Sequence, residues 1–337
     1  LNLVRIGILG CGFIGKVHAK AFAHIPNAKV VAVADHDSGR AREVAAWLGA
    51  EAVAGADDLL RRQDIDMVDV CLPTYLHARH VIAAARAGKH VLCEKPMAMN
   101  LEEADAMIEA AERAGIAFMV GHTLRFWPEY VTIWDLIRRG ELGRPVALSA
   151  ARLGTQPMYS WDGWLLDPGR GGGAVPDLHI HDIDYIAWLL GRPKAVVARG
   201  RRSANGCWNH VFTTLDYGGG VAAFAEATFL VPPSFPFTMM LRAVCETGTA
   251  EFMSRSGVNI EAREGSAKTL TVYRKDGTVL RPDVARQDAY EAELAYFLRC
   301  IEDGRRPETT TPADARLSLE IVLAAIRSLE TGDVVGM

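Results

Sequence analysis

Val4-Arg5-Ile6-Gly7-Ile8-Leu9-Gly10-Cys11-Gly12-Phe13-Ile14-Gly15 is the stretch that decides the fold. An apolar run enters three glycines spaced G-x-G-x-x-G, and a helix-like pattern follows. A second apolar run, residues 30–34, ends on Asp35, 20 positions beyond Gly15. Strand, glycine turn, helix, strand and terminal acid together form the context in which this fingerprint is informative. Gly10 permits the tight turn, Gly12 lets the backbone approach a pyrophosphate, and Gly15 lets helix and strand pack closely. The pyrophosphate is expected on the positive helix N-terminus, flanked by Phe13 and Ile14. Asp35 is expected to accept hydrogen bonds from adenosine ribose hydroxyls. A 2′-phosphate there meets a like charge, so the reading favours NAD over NADP.

The 337 residues are enough for a large core and two domains. Half of the chain is hydrophobic, 23% is charged, and the net charge is -4, which leaves no basic footprint for nucleic acid. No apolar run approaches the ~20 residues that span a bilayer. The chain enters a strand at once, so no signal peptide is expected. Cys11, Cys71, Cys93, Cys207, Cys245 and Cys300 form no CxxC pair. The expectation is a cytoplasmic, reduced chain.

Strand and helix signals alternate to about residue 122, with apolar runs at 4–9, 30–34, 67–72, 90–93 and 117–120. Helical patterns fill the gaps, as at 78–87 and 101–114, with Gly88 and Gly115 at the helix ends. This predicts an N-terminal Rossmann domain over 1–122, a doubly wound parallel sheet. Residues 123–337 read as an α+β domain. Helices are expected at 129–139, 175–190, 287–302 and 313–329, with strands from about 146 to 152 and from after 191 to about 280. Gly218-Gly219-Gly220 between two apolar strands implies a mostly antiparallel open sheet.

Ligands of a doubly wound sheet bind at the carboxyl ends of its strands. Leu72, Pro73 and Thr74 end one such strand, and His77 opens the next helix, either beside the cofactor or as a surface or capping residue. Glu94-Lys95-Pro96 ends another. A lysine there can stabilise negative charge on a substrate oxygen, and Pro96 is a candidate for a cis bond. Further on, Asp177 and His181 stand at i and i+4 of a helix expected from Pro176 and so share a face. An acid beside a histidine suits a general base. His179 and Asp182 point elsewhere and read as structural. Histidines at i and i+2 face apart, so no metal is expected. Trp127, Trp161 and Trp164 fall within 38 residues, with Arg125 and Tyr159 nearby. Their flat faces suit a sugar ring or a nicotinamide. Arg125, Arg152 and Arg170 are open to two readings, anion recognition or structural ion pairing.

The chain resembles the Gfo/Idh/MocA oxidoreductases. The segments that carry the likeness are GCGFIG, AGKHVLCEKPMA, the G-H-x-x-R-F-x-P stretch at 121–128, W-x-x-D-P-x-x-x-G-G-G at 164–173 and D-x-x-x-H-D-I-D at 177–184. The resemblance implies an NAD(P)-dependent dehydrogenase acting on a sugar, inositol or related polyol. It maps the catalytic lysine onto Lys95 and the acid and base onto Asp177 and His181. Cofactor contacts then extend over Glu94, Lys95 and Pro96, and substrate contacts over Lys95, Arg125, Trp161, Trp164, Asp177 and His181. It also implies a homodimer or homotetramer built through the second-domain sheet. Two other readings share these residues. A glycosidase that oxidises its sugar transiently accumulates no NADH. A non-enzymatic NAD-binding regulator is not expected to keep the Lys–Asp–His set.

Overall fold

The computed structural model describes residues 3–256 and 267–337. Its elements run β1 (Val4–Leu9), α1 (Phe13–Phe22), β2 (Ala28–Ala34), α2 (Ser38–Leu48), β3 (Glu51–Ala52), α3 (Ala56–Arg61), β4 (Met67–Val70), α4 (His77–Arg86), β5 (His90–Glu94), α5 (Leu101–Ala114) and β6 (Phe118–Gly121). Then follow α6 (Pro128–Arg138), β7 (Pro145–Leu153), α7 (Ile180–Leu190), β8 (Ala195–Arg202), β9 (Trp208–Asp216), β10 (Ala222–Thr228), β11 (Phe237–Cys245) and β12 (Gly248–Ser256). The chain closes with β13 (Ala267–Arg274), β14 (Val279–Leu280), α8 (Ala289–Glu302), α9 (Pro312–Thr331) and β15 (Val335–Gly336). Of the strand-rich stretch expected to reach residue 280, residues 257–266 lie outside the described ones.

The first sheet has the strand order β3-β2-β1-β4-β5-β6, and every pairing is parallel. That is the Rossmann order, which reverses between β1 and β4. The central strands are buried on both faces, as continuous apolar runs require. Helix α2 is capped by Asp37, which accepts from the Gly39 and Arg40 N–H groups, and ends on left-handed Gly49. Helix α5 repeats this design with Asn100 and Gly115.

The second sheet has the order β14-β13-β12-β11-β7-β10-β9-β8-β15. All pairings are antiparallel except β7 with β10. Along β9 burial alternates, with Asn209, Val211, Thr213 and Leu215 inward and Phe212, Thr214 and Asp216 outward. One face is covered by helices. The Tyr130 ring from α6 meets Tyr185 of α7 and Phe252 of β12 edge-on, and the Tyr185 hydroxyl donates to the Tyr130 carbonyl at 2.8 Å.

The chain divides into two compact units, and their limits differ from a single cut at 122/123. Residues 159–164 and 287–316 belong with residues 1–126. The reason is packing: Leu294, Phe297 and Leu298 of α8 bury themselves in one apolar cluster with Ile6, Ile8, Leu92 and Met119 of the first sheet. An amphipathic helix carries no mark of which core it completes. The second unit comprises 127–158, 165–286 and 317–337.

Candidate active site

The glycine loop joins β1 to α1. A side chain at Gly10, where φ is +96°, would strike the Cys71 carbonyl, and one at Gly15 would strike the Gly10 carbonyl. A Cβ at Gly12, by contrast, meets nothing within 4 Å. Two glycines therefore serve internal packing and the third faces open space. Helix α1 begins at Phe13 with no side-chain cap and no acid in its first turn. Its N-terminal N–H groups and dipole are left to an anion, so these residues fit the pyrophosphate of a dinucleotide.

Asp35 stands at the end of β2 and its carboxylate is almost wholly buried. One oxygen accepts the Cys11 N–H at 2.8 Å, tying the end of β2 to the glycine loop. The other accepts from the Asp37 N–H at 2.8 Å and from Arg40 Nη2 at 3.0 Å, with His36 Nδ1 at 3.1 Å. The charge expected to repel a 2′-phosphate thus has a guanidinium against it. Burial and the Asp35 charge push the Cys11 thiol up to about 12, so it remains a neutral packing group. Two aromatic residues of the 159–164 segment meet this region: Tyr159 lies 4.8 Å from the Phe13 ring and Trp161 4.0 Å from His36, centroid to centroid. Trp161, expected against substrate, stands beside the end of β2, and Trp164 is half-buried in the same unit. Only the tertiary structure brings a segment so distant in sequence to this edge.

At the ends of β4 and β5 the expected residues do come together. Leu72, Pro73 and Lys95 are half-buried, while Thr74, Glu94 and Pro96 are buried. The Lys95–Pro96 bond is cis. His77 is buried, and its two nitrogens face the Pro96 carbonyl at 2.9 Å and the Leu72 carbonyl at 2.7 Å. It pegs the two strand ends to each other and is not the surface residue that one reading expected. Burial holds its ring below the usual histidine range, against the pull of the two carbonyls.

Behind this edge lies a group of charges that the sequence reading missed. His18 Nδ1 is 2.9 Å from Asp69 Oδ2 and its Nε2 is 3.2 Å from Glu94 Oε1. The Cys71 thiol lies 3.4 Å from Asp69 Oδ2. The signal available was an acid inside an apolar strand, Met67-Val68-Asp69-Val70. Arg125, expected at substrate, is buried with its Nη1 3.2 Å from Asp314 Oδ2. Its guanidinium is committed inside the first unit.

In the second unit the expected regular helix from Pro176 is not what forms. Residues Val175–His179 make a π turn, and the α-helix starts at Ile180. Asp177 and His181 are both half-buried, whereas His179 between them is fully buried, 2.8 Å from the Thr213 hydroxyl. Burial, helped by the Arg152 charge, pushes His179 down to about 3, so it stays neutral. Asp182 pairs with Arg152 through two contacts of 3.0 Å, both groups buried. Arg170 pairs with Asp167 at 3.1 Å. Of the two readings left open for these arginines, ion pairing is the one the structure shows.

Sheet order, glycine loop and terminal acid define a protein of the dinucleotide-binding Rossmann class. The chain belongs to the Gfo/Idh/MocA family: residues 4–122 match its model for the "Oxidoreductase family, NAD-binding Rossmann fold", and residues 130–251 match the "GFO/IDH/MocA C-terminal domain". Inositol 2-dehydrogenase of Rhizobium meliloti (strain 1021) is 36% identical, with 97% of each chain covered. Scyllo-inositol 2-dehydrogenase (NAD(+)) of Bacillus subtilis (strain 168) is 30% identical over 98% of this chain and 95% of its own. Among solved structures, UDP-N-acetylglucosamine 3-dehydrogenase GnnA from Acidithiobacillus ferrooxidans superposes with a TM-score of 0.81 at 27% identity, over 98% of this chain and 99% of that one. Among the described residues no helix is long and apolar enough to cross a membrane.

Proposed function

We propose that this protein oxidises a secondary hydroxyl of an inositol, sugar or related cyclic polyol, with NAD used in preference to NADP. The observation that carries the reading is the placement of Lys95. It follows β5 at the carboxyl edge of the sheet, where a Rossmann domain presents its ligand, and the His77 peg to the Pro96 carbonyl holds its loop there. When bound, the nicotinamide supplies the hydride acceptor. The protein's own residues handle the proton and the charge. His181 takes the hydroxyl proton in its neutral form, Asp177 supports it, and Lys95 donates to the oxygen as negative charge develops. The buried, neutral His179 is excluded from this role. Inositol dehydrogenases among the relatives support the substrate class.

The oligomer is proposed to form through the uncovered face of the second sheet. Phe212 and Phe224 stack there, 5.6 Å apart, each 39% exposed. The test of function is NADH formation across inositols, aldoses, amino sugars and sugar phosphates. Stoichiometric NADH with at least one cyclic polyol is expected. Cleavage of a glycoside without net NADH would assign the transient-oxidation chemistry instead. NAD binding with no turnover of any kind would leave a regulator.

A further inference from the structure

The first unit buries more charge than its fold requires. His18, on α1, is enclosed between Asp69 of β4 and Glu94 of β5, with a carboxylate oxygen within 3.2 Å of each ring nitrogen. Both neighbours are acidic: Nδ1 is hydrogen-bonded to Asp69 and Nε2 stands at ion-pair distance from Glu94, an arrangement that favours a charged ring. Burial opposes that charge, yet Asp69 and Cys71 outweigh it and hold His18 well above its usual range. Glu94 responds in the opposite sense. Burial disfavours its charge, but the His18 charge 3.2 Å away, together with the Lys95 charge, keeps it below the usual carboxylate range. Glu94 also fits where it does because Gly121 is its partner on β6. A Cβ at 121 would stand 2.9 Å from Glu94 Oε1. Its second oxygen accepts the Lys95 N–H at 3.1 Å.

The other groups facing this cluster come from every surrounding element. Just after β4 the Cys71 thiol lies 3.5 Å from His18 Nδ1. On α8 the Tyr290 ring is 5.9 Å from that of His18, and Glu293 is buried with the Thr123 hydroxyl donating to it at 2.8 Å. Buried ion pairs are weak evidence for stability, because apolar residues of similar volume commonly serve a core as well or better. Clusters of this kind instead gather behind working residues.

We propose that Asp69, His18 and Glu94 form a buried positioning chain for Lys95. Asp69 orients the His18 ring, His18 holds the Glu94 carboxylate, and Glu94 anchors the Lys95 backbone and supplies the negative charge that the ammonium faces. All three side chains are buried, and in this role they act through the lysine. The inference rests on the reading of Lys95 given above.

The test uses the isosteric variants Glu94→Gln, His18→Gln and Asp69→Asn, with Glu94→Asp as the conservative rescue and Lys95→Met as the control. NAD affinity and thermal melting are measured first, so that a variant that fails to fold is set aside and the others still report. Glu94→Gln is expected to bind NAD within a few-fold of the parent. Its kcat should fall about 10- to 100-fold with little change in KM, as for loss of a transition-state interaction. The alkaline limb of its kcat profile should move to lower pH, because the charge that supports the ammonium is gone. Glu94→Asp should restore that limb even if its rate stays low. His18→Gln and Asp69→Asn should lower kcat less, and His18→Gln should add nothing to Glu94→Gln in the double variant. A lowered melting temperature with an unmoved pH profile in all three would reduce the chain to packing and overturn the proposal. An active Lys95→Met would overturn the reading of Lys95 and this inference together. An inactive Lys95→Met beside a parental Glu94→Gln profile would overturn this inference alone.

Discussion

Two glycine-rich segments precede helices in this protein, and they are built for opposite ends. At 10–15 a Cβ on Gly12 would meet nothing within 4 Å, and the helix that follows has no cap and no acid in its first turn. At 171–173 a Cβ on Gly172 would lie 2.6 Å from the Pro176 ring, and one on Gly173 would lie 2.6 Å from both Asn209 Oδ1 and Cys207 Cβ. The helical turn after it carries Asp177. The first loop leaves its N–H groups and its space to a ligand. The second spends its glycines on fitting against its own protein and offers side chains instead. Glycine content alone therefore says nothing about anion binding. What matters is what a Cβ would meet, and whether the helix start is already satisfied.

The strongest way to break this comparison is at the side chains of the second loop. His181→Ala should lose ~10²–10⁴-fold in kcat, the range of general acid–base catalysis. His179→Ala should leave kcat within a few-fold and instead lower the melting temperature, because it abandons a buried hydrogen bond to Thr213. Steady-state rates and thermal melts on the two variants decide it. Near-parental activity in His181→Ala would remove the second loop from the chemistry.

A pH-dependent stability effect sharpens the account of the first unit. Burial and the Glu94 charge push Glu293 up from 4.5 to about 8. Between those values the native state holds a proton that the unfolded chain releases, so this group's contribution to stability declines as pH rises through the window. The ceiling is ~1.4 kcal/mol per pH unit. Glu293→Gln should flatten the fall in stability between pH 5 and 8, read by denaturant titration at both ends. Parallel curves for parent and variant would count against a protonated Glu293.

The glycines themselves give the direct test. Gly12→Ala should weaken NAD binding by ~10-fold, or ~1.4 kcal/mol, without changing the melting temperature. Gly173→Ala should do the reverse, costing ~1–3 kcal/mol of stability through a crowded position at φ +84° while NAD affinity is unchanged. Calorimetric NAD titration and melting of each variant provide the readout, and the same response in both would erase the distinction. The smallest effect is expected at Arg40. Its guanidinium lies against Asp35, so Arg40→Ala should widen the preference for NAD over NADP by only a few-fold, on the ~1 kcal/mol scale of a partly exposed ion pair. A narrowed preference would mean that Asp35 is not the discriminating charge.

Much of the first unit was legible in the sequence because its signals are local. The β1–α1–β2 unit, Asp35 at the end of β2 and Lys95 after β5 all follow from apolar runs broken by glycine and closed by a polar residue. The open second sheet was legible in kind from its turns and alternation. What was not legible has one cause, which is that a polar residue's partner is set by the fold and not by its neighbours in the chain. Arg125 reads equally well as a substrate ligand or as the partner of Asp314, 189 positions away by number. His77 reads as a helix cap until Pro96 and Leu72 are brought to its two nitrogens.

By itself the sequence determined the parallel Rossmann sheet, the glycine loop and the acid after β2, because period, glycine spacing and terminal polar residues act within a few positions. Only the tertiary structure decided that α8 completes the first unit's core and that residues 159–164 lie against Phe13 and His36. It alone placed His18 between two acids and turned the chain through a π turn at Val175–His179. Each of these depends on burial against segments distant in the chain, and burial is what sets whether a charge is paired, a ring protonated or a helix regular.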